Sequence, residues 1–154
     1  MGTRADFYVG RGESAEWLGS IAWDGYPSGI AGSKHSTSKG DIKACPILNA
    51  TTEKAFRRVV SAELARRDDG TAPNMGWPWP WETSATTDFA YAFDQGKVYA
   101  SCFGGKWYRA TSPRLHEESS RGEVAVFPNM KERANVQFGG KRSGLIVVST
   151  RAVT

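Results

Sequence analysis

Residues 74–81 read Asn-Met-Gly-Trp-Pro-Trp-Pro-Trp, and no other stretch of the chain narrows its folding options as sharply. Pro78 and Pro80 each fix their own φ and push the residue before them towards extended backbone. The segment is therefore expected to be stiff, close to polyproline II, and unable to continue a helix. Trp77, Trp79 and Trp81 project from that rod. Rings of this size must either plug a core or form an adhesive surface, and the pattern leaves both open.

Elsewhere the periodicities separate cleanly. Phe56, Val59, Val60 and Leu64 recur at helical spacing and predict a helix from Thr52 to about Arg67. Thr51 or Thr52 can cap it, Glu53 suits its positive end, and Arg66 and Arg67 suit its negative end. Asp68-Asp69-Gly70 stops it, and Lys54, Arg57 and Arg58 are expected to face solvent. Ala5–Val9 and Trp17–Trp23 read as strands joined across Gly10-Arg11-Gly12. Asp24-Gly25-Tyr26-Pro27-Ser28-Gly29 is a strong turn.

A second hairpin is clearer still. Asp88–Phe93 alternates large and small residues, Asp94-Gln95-Gly96 turns, and Lys97–Phe103 returns. A short element follows at Lys106-Trp107-Tyr108. Glu123–Phe127 reads as a strand ended by Pro128, and 129–137 as room for one helical turn. Leu145-Ile146-Val147-Val148 are consecutive, so Ser143–Ser149 reads as a strand buried on both faces. Residues 31–41 and 111–122 are polar and read as loops. The expectation is one α+β domain over residues 1–154. It has a mostly antiparallel sheet of about six or seven strands and one main helix packed on a face.

The length of 154 residues suffices for a real core, and 40% apolar content with 12% aromatics is globular. A net charge of +4 permits an anionic partner without demanding one. Cys45 and Cys102 form neither a disulfide framework nor a Cys-x-x-Cys motif, and no apolar stretch approaches bilayer length. With no apolar leader, a cytoplasmic location without membrane contact is expected.

No motif for chemistry stands at working spacing. His35 and His116 lack the His-x-x-x-His pattern, so no metal and no cofactor is expected. A weak acidic magnesium site using Asp24, Asp88 or Asp94 is the alternative to the plainer reading of turn aspartates that satisfy backbone amides. Cys102 and His116 are candidates for a Cys–His pair, against the plainer reading of a small hydrophobe and a surface histidine. Gly139–Gly144 resembles a phosphate loop only in part. Lys141 and Arg142 there can present cations to an anion, or simply turn the chain before a strand. Lys34, Lys39 and Lys43 are most simply solvated. Tyr8, Trp17, Trp107, Tyr108 and the Trp-Pro run are candidates for stacking on single-stranded nucleic acid, with core burial as the competing reading.

Met1-Gly2-Thr3-Arg4 together with Trp23-Asp24-Gly25-Tyr26-Pro27 resembles a family of small uncharacterised proteins of bacteria, phages and prophages. Its members open Met-Gly-Thr-Arg and carry a Trp-Asp-Gly-Tyr-Pro turn after their first hairpin. The likeness covers roughly the first thirty residues. Phe127-Pro128-Asn129-Met130 through Gly144-Leu145-Ile146-Val147 is similar to one branch. The resemblance implies a setting of mobile elements and their hosts, and carries no chemistry. Read physically, Asp24 can accept amide hydrogens, Gly25 can supply a positive φ, Pro27 can lock the exit, and Arg4 can pair with Asp24. Trp23 and Tyr26 can pack across the turn. Such a cluster is either a structural anchor or a holder for a small anion or peptide terminus.

The leading expectation is a non-enzymatic phage- or prophage-type accessory protein. It would bind a host macromolecular complex, for instance a defence or transcription complex, through an aromatic and Arg surface. Trp77, Trp79, Trp81, Arg4, Trp23, Asp24, Tyr26, Lys141 and Arg142 are its candidate contacts. The alternatives are a small hydrolase acting on a nucleotide or amide, and a single-strand nucleic-acid binder.

Overall fold

The computed structural model describes residues 2–32, 41–112 and 124–134. Among these residues six strands form an open sheet in the order β3-β2-β1-β4-β5-β6. They are β1 (Ala5–Val9), β2 (Glu16–Ile21), β3 (Gly70–Thr71), β4 (Phe89–Asp94), β5 (Lys97–Cys102) and β6 (Tyr108–Arg109). All neighbours run antiparallel except the central pair, β1 and β4. Two hairpins, β1–β2 and β4–β5, therefore lie side by side, joined through a parallel seam.

Local chemistry explains each hairpin. In the second, Asp94 pairs with Lys97, leaving Gln95 and Gly96 as a two-residue loop with φ of 53° and 84°. Both positive angles match the turn that suits the twist of the flanking strands. In the first, the register shifts between Phe7 and Tyr8 opposite Gly19, whose φ is 143°. A side chain at Gly19 would meet Leu64 Cδ1 at 2.3 Å and the Thr71 carbonyl at 2.7 Å. Glycine lets the irregular strand pass beneath the helix.

The main helix, α2 (Glu53–Arg66), begins at Thr52, whose hydroxyl accepts from the Ala55 amide at 3.1 Å. Its buried Phe56, Val60 and Leu64 pack on one sheet face against Phe7, Ile21, Tyr91, Phe93 and Val98. A short helix α1 (Pro27–Ala31) precedes it, with proline at its first position. The second sheet face carries a separate aromatic core. Tyr8, Trp17, Trp77, Trp107 and Met130 are buried there, with Trp79, Trp81 and Phe127 packed against them. Met130 opens α3 (Met130–Ala134).

Three expectations are corrected. The Trp-Pro run is not a straight rod, because it bends over 79–83 and the Trp77 indole donates to the Trp81 carbonyl at 2.6 Å. Four residues of straight polyproline II would span about 12 Å. Residues 124–127 form no strand, and only Val124 makes a bridge, to Lys106. The positive φ in the Trp23–Pro27 turn, 59°, belongs to Asp24 rather than Gly25. His35, Lys34, Lys39, His116, Lys141, Arg142 and the 143–149 strand lie outside the described residues.

Candidate binding surface

Strand register gathers a row of residues at one end of the sheet. Ala5 pairs with both Ile21 and Phe89, and Phe89 pairs with Cys102. The positions just beyond those ends are Ala22, Arg4, Asp88 and Phe103, in that order across the sheet, and Trp23 follows Ala22 one residue further out. Strands about 4.8 Å apart make the row about 14 Å wide.

Two large rings stand open in it. Trp23 is 54% exposed and Phe103 is 60% exposed. Phe103 holds a φ of 50°, a left-handed conformation that costs a bulky residue about 1–3 kcal/mol. The neighbourhood enforces it. The Phe103 amide donates to the Asp88 carbonyl at 3.1 Å, and the Gly105 amide donates to the Cys102 carbonyl at 3.0 Å. The Ser101 hydroxyl donates to the Gly105 carbonyl at 2.7 Å. A ring kept in water on strained backbone gains nothing for the core.

Arg4 sits between the rings and is locked in place. Its amide and its Nε reach Asp88 Oδ2 at 2.8 Å and 3.3 Å. Its guanidinium lies 5.2 Å from the Trp81 ring and 6.0 Å from the Trp79 ring, which stack on each other at 5.5 Å. The expected Arg4–Asp24 pair is thus replaced by Arg4–Asp88. Parallel pairing of β1 with β4 brings Asp88 beside Arg4, whereas Asp24 is exposed on its turn.

Trp23 is anchored through its backbone. The amides of Ala22 and Trp23 donate to Asp69 Oδ2 at 3.0 Å and 2.8 Å, and Arg67 donates to the Trp23 carbonyl at 2.6 Å. Burial alone would raise the Asp69 carboxyl, but Arg67 and the two amides outweigh it and hold Asp69 below the usual aspartate value. Gly25 binds the turn to the sheet. Its amide donates to the Thr3 carbonyl at 2.8 Å, and Tyr91 OH donates to its carbonyl at 2.6 Å. Tyr26 caps α1, its carbonyl accepting from the Gly29 and Ile30 amides at 2.9 Å each.

The Trp-Pro run itself serves mainly as scaffold. Trp77 is buried in the aromatic core, while Trp79 and Trp81 are half-buried. The Trp79 indole donates to Asp6 Oδ1 at 2.7 Å, and the Trp81 indole to Thr87 Oγ1 at 2.8 Å. With Trp77 bonded to Trp81, all three indole N–H groups are spent internally. Only the outer edges of Trp79 and Trp81, beside Arg4, adjoin the row.

Asp6 anchors that scaffold, and pattern reading missed it. It is fully buried in β1. Ser20 and Ser84 donate to its two oxygens at 2.6 Å each, and Tyr8 OH lies 2.7 Å from Ser84 Oγ. The Trp17 indole donates to Ser20 Oγ at 3.1 Å. Burial raises the Asp6 carboxyl above its ordinary value, and the donors from Ser20, Ser84, Trp79 and Thr87 pull it back in part. The available signal was a lone carboxylate inside an apolar strand, Ala5-Asp6-Phe7-Tyr8-Val9.

Candidate chemistry is not assembled among the described residues. Cys102 is half-buried, and burial followed by the nearby Asp88 raises its thiol above the ordinary value, which disfavours the nucleophilic thiolate. No group of three His, Cys, Asp or Glu residues there could hold a metal. Asp88 binds Arg4, Asp94 binds Arg11 at the far end of β4, and Asp24 is solvated. Tyr8, Trp17, Trp107 and Tyr108, candidates for stacking on bases, are all buried. Among the described residues no helix is long and apolar enough to cross a membrane.

The chain matches no family model, no curated protein and no solved structure.

Proposed function

We propose that the protein is a non-enzymatic binding protein that docks a protein partner on the row Trp23–Arg4–Phe103. In the phage or prophage setting implied by the resemblance, that partner is a component of a host macromolecular complex, with a defence or transcription complex as an instance. One observation carries the reading: two large aromatic residues stand open at one sheet end, one on strained backbone, with a locked arginine between them. Tryptophan and arginine supply a disproportionate share of interface energy when their surroundings are rigid, because little ordering entropy is lost on docking. The half-buried edges of Trp79 and Trp81 extend the surface beside Arg4.

The test is capture from a bacterial host extract, followed by titration of the purified captured component. Trp23→Ala with Phe103→Ala should keep the fold and weaken binding at least about a hundredfold, as loss of two central anchors does. Unchanged affinity in a folded double variant overturns the reading. Retention of nucleic acid that weakens steeply with salt would favour a nucleic-acid binder instead.

A further inference from the structure

Resting on the docking role proposed above, we infer that the partner segment taken by the row is an extended stretch with an internal aspartate or glutamate. An apolar residue stands two places to either side of that acid, and its carboxylate is held by the Nη edge of Arg4.

Arg4 keeps charge to offer. Its Nε contact with Asp88 Oδ2, at 3.3 Å, is the longest ion pair among the described residues, and the same oxygen already takes the Arg4 amide at 2.8 Å. The guanidinium lies against the indoles of Trp81 and Trp79, which are themselves fixed by bonds to Thr87 and Asp6. Among the described residues its two Nη groups meet no acceptor, and the side chain is 29% exposed. With the indoles on a face and Asp88 at the Nε edge, the Nη edge is the one left for a partner. A planar fork held in this way matches a carboxylate with two parallel hydrogen bonds.

Neighbouring charge selects among anions. Asp88 stands behind Arg4, and Asp24 is exposed on the turn after Trp23. A single carboxylate balances the guanidinium, whereas a phosphate dianion would add charge beside two acids that repel it. Geometry selects the source of the carboxylate. A chain terminus at Arg4 has no residue beyond it and would leave Trp23 or Phe103 uncovered. An internal acid lets the segment reach both rings, which are 54% and 60% exposed. In an extended segment, residues i, i+2 and i+4 share a face and span about 13–14 Å, the width of the row. The row crosses strand ends rather than following a strand edge, so the side chains of the segment carry recognition, not a main-chain ladder.

The probe is a synthetic peptide capped at both ends, Gly-Leu-Ser-Glu-Ser-Leu-Gly, titrated into the full chain by NMR. The Trp23 indole and Phe103 amide signals should move, and glutamine in place of the peptide's glutamate should weaken binding about tenfold. Arg4→Gln, checked for fold by its unfolding transition, should abolish that preference, and Arg4→Lys should restore only part of it, because an ammonium lacks the fork. The peptide series on the wild-type chain decides the matter even where the Arg4 variants do not fold. Equal affinity for the glutamate and glutamine peptides overturns the inference. Tighter binding of a phosphoserine peptide, or of one that ends in a free carboxylate at that place, overturns it in favour of that anion. Signals that move with protein concentration alone assign the row to a second copy and overturn it too. Unmoved signals, while the captured host component still loses affinity in Trp23→Ala/Phe103→Ala, overturn this partner chemistry and leave the docking role standing.

Discussion

Asp6 concentrates the physics of this molecule in one side chain. Its carboxylate is fully buried, and its direct donors, Ser20, Ser84 and Trp79, are neutral. Those donors come from β2, from the middle of the Trp-Pro run and from the turn at Ser84 that follows it, so one acid ties three segments to β1. Asp6→Asn turns an acceptor into a donor facing donors, and should lower unfolding stability by about 1–3 kcal/mol in denaturant titration. The linkage has a definite sign. Because burial raises the folded value of Asp6, its contribution is fully present below the ordinary 3.8 and is lost as pH rises through the folded value. The stability gap between wild type and Asp6→Asn should therefore narrow as pH rises across that window. Asp69, held low, behaves oppositely: its contribution is present above 3.8 and is lost as pH falls through its folded value. A gap that widens with rising pH in Asp6→Asn would contradict the assigned environment. None of this was legible in the strand pattern, because the partners of Asp6 lie 14 to 78 residues away.

Among the elements, the Trp-Pro run behaves as a girder laid across the second sheet face. Trp77 is 9% exposed and meets Trp17 edge-on at 5.2 Å. Trp77→Ala should cost about 3–5 kcal/mol of stability, as truncation of a buried ring does. Trp23→Ala, at an open position, should cost less than about 1 kcal/mol. Thr52→Ala should cost about 1 kcal/mol by removing the cap of α2, readable as a shift in thermal midpoint. Elements with strong local signals were legible: the helix from its apolar stripe and cap, and the β4–β5 hairpin from alternation and its Gln95-Gly96 turn. Elements made by tertiary context were not. The two-residue β3 is too short to leave a pattern, the parallel β1–β4 seam joins distant segments, and Val124–Phe127 has strand composition without a full partner strand.

The whole molecule divides its aromatic residues by task. Those on the second sheet face bury and bond their polar atoms, and two at the strand ends stay open on a rigid frame. Arg4 belongs to both, because it covers Trp79 and Trp81 while standing in the exposed row. Sequence picked out Arg4 and Trp23 as candidates but assigned Arg4 the wrong carboxylate, and Phe103 was read only as the end of a strand. The row depends on register across four strands, and its strain depends on one φ, neither of which a linear pattern encodes. The most direct test titrates the captured host component against wild type, Trp23→Ala/Phe103→Ala and Pro80→Ala, each checked for fold by its unfolding transition. Affinity should fall by at least about two orders of magnitude in the double variant and change much less in Pro80→Ala. Wild-type affinity in the double variant, with the fold intact, would contradict it.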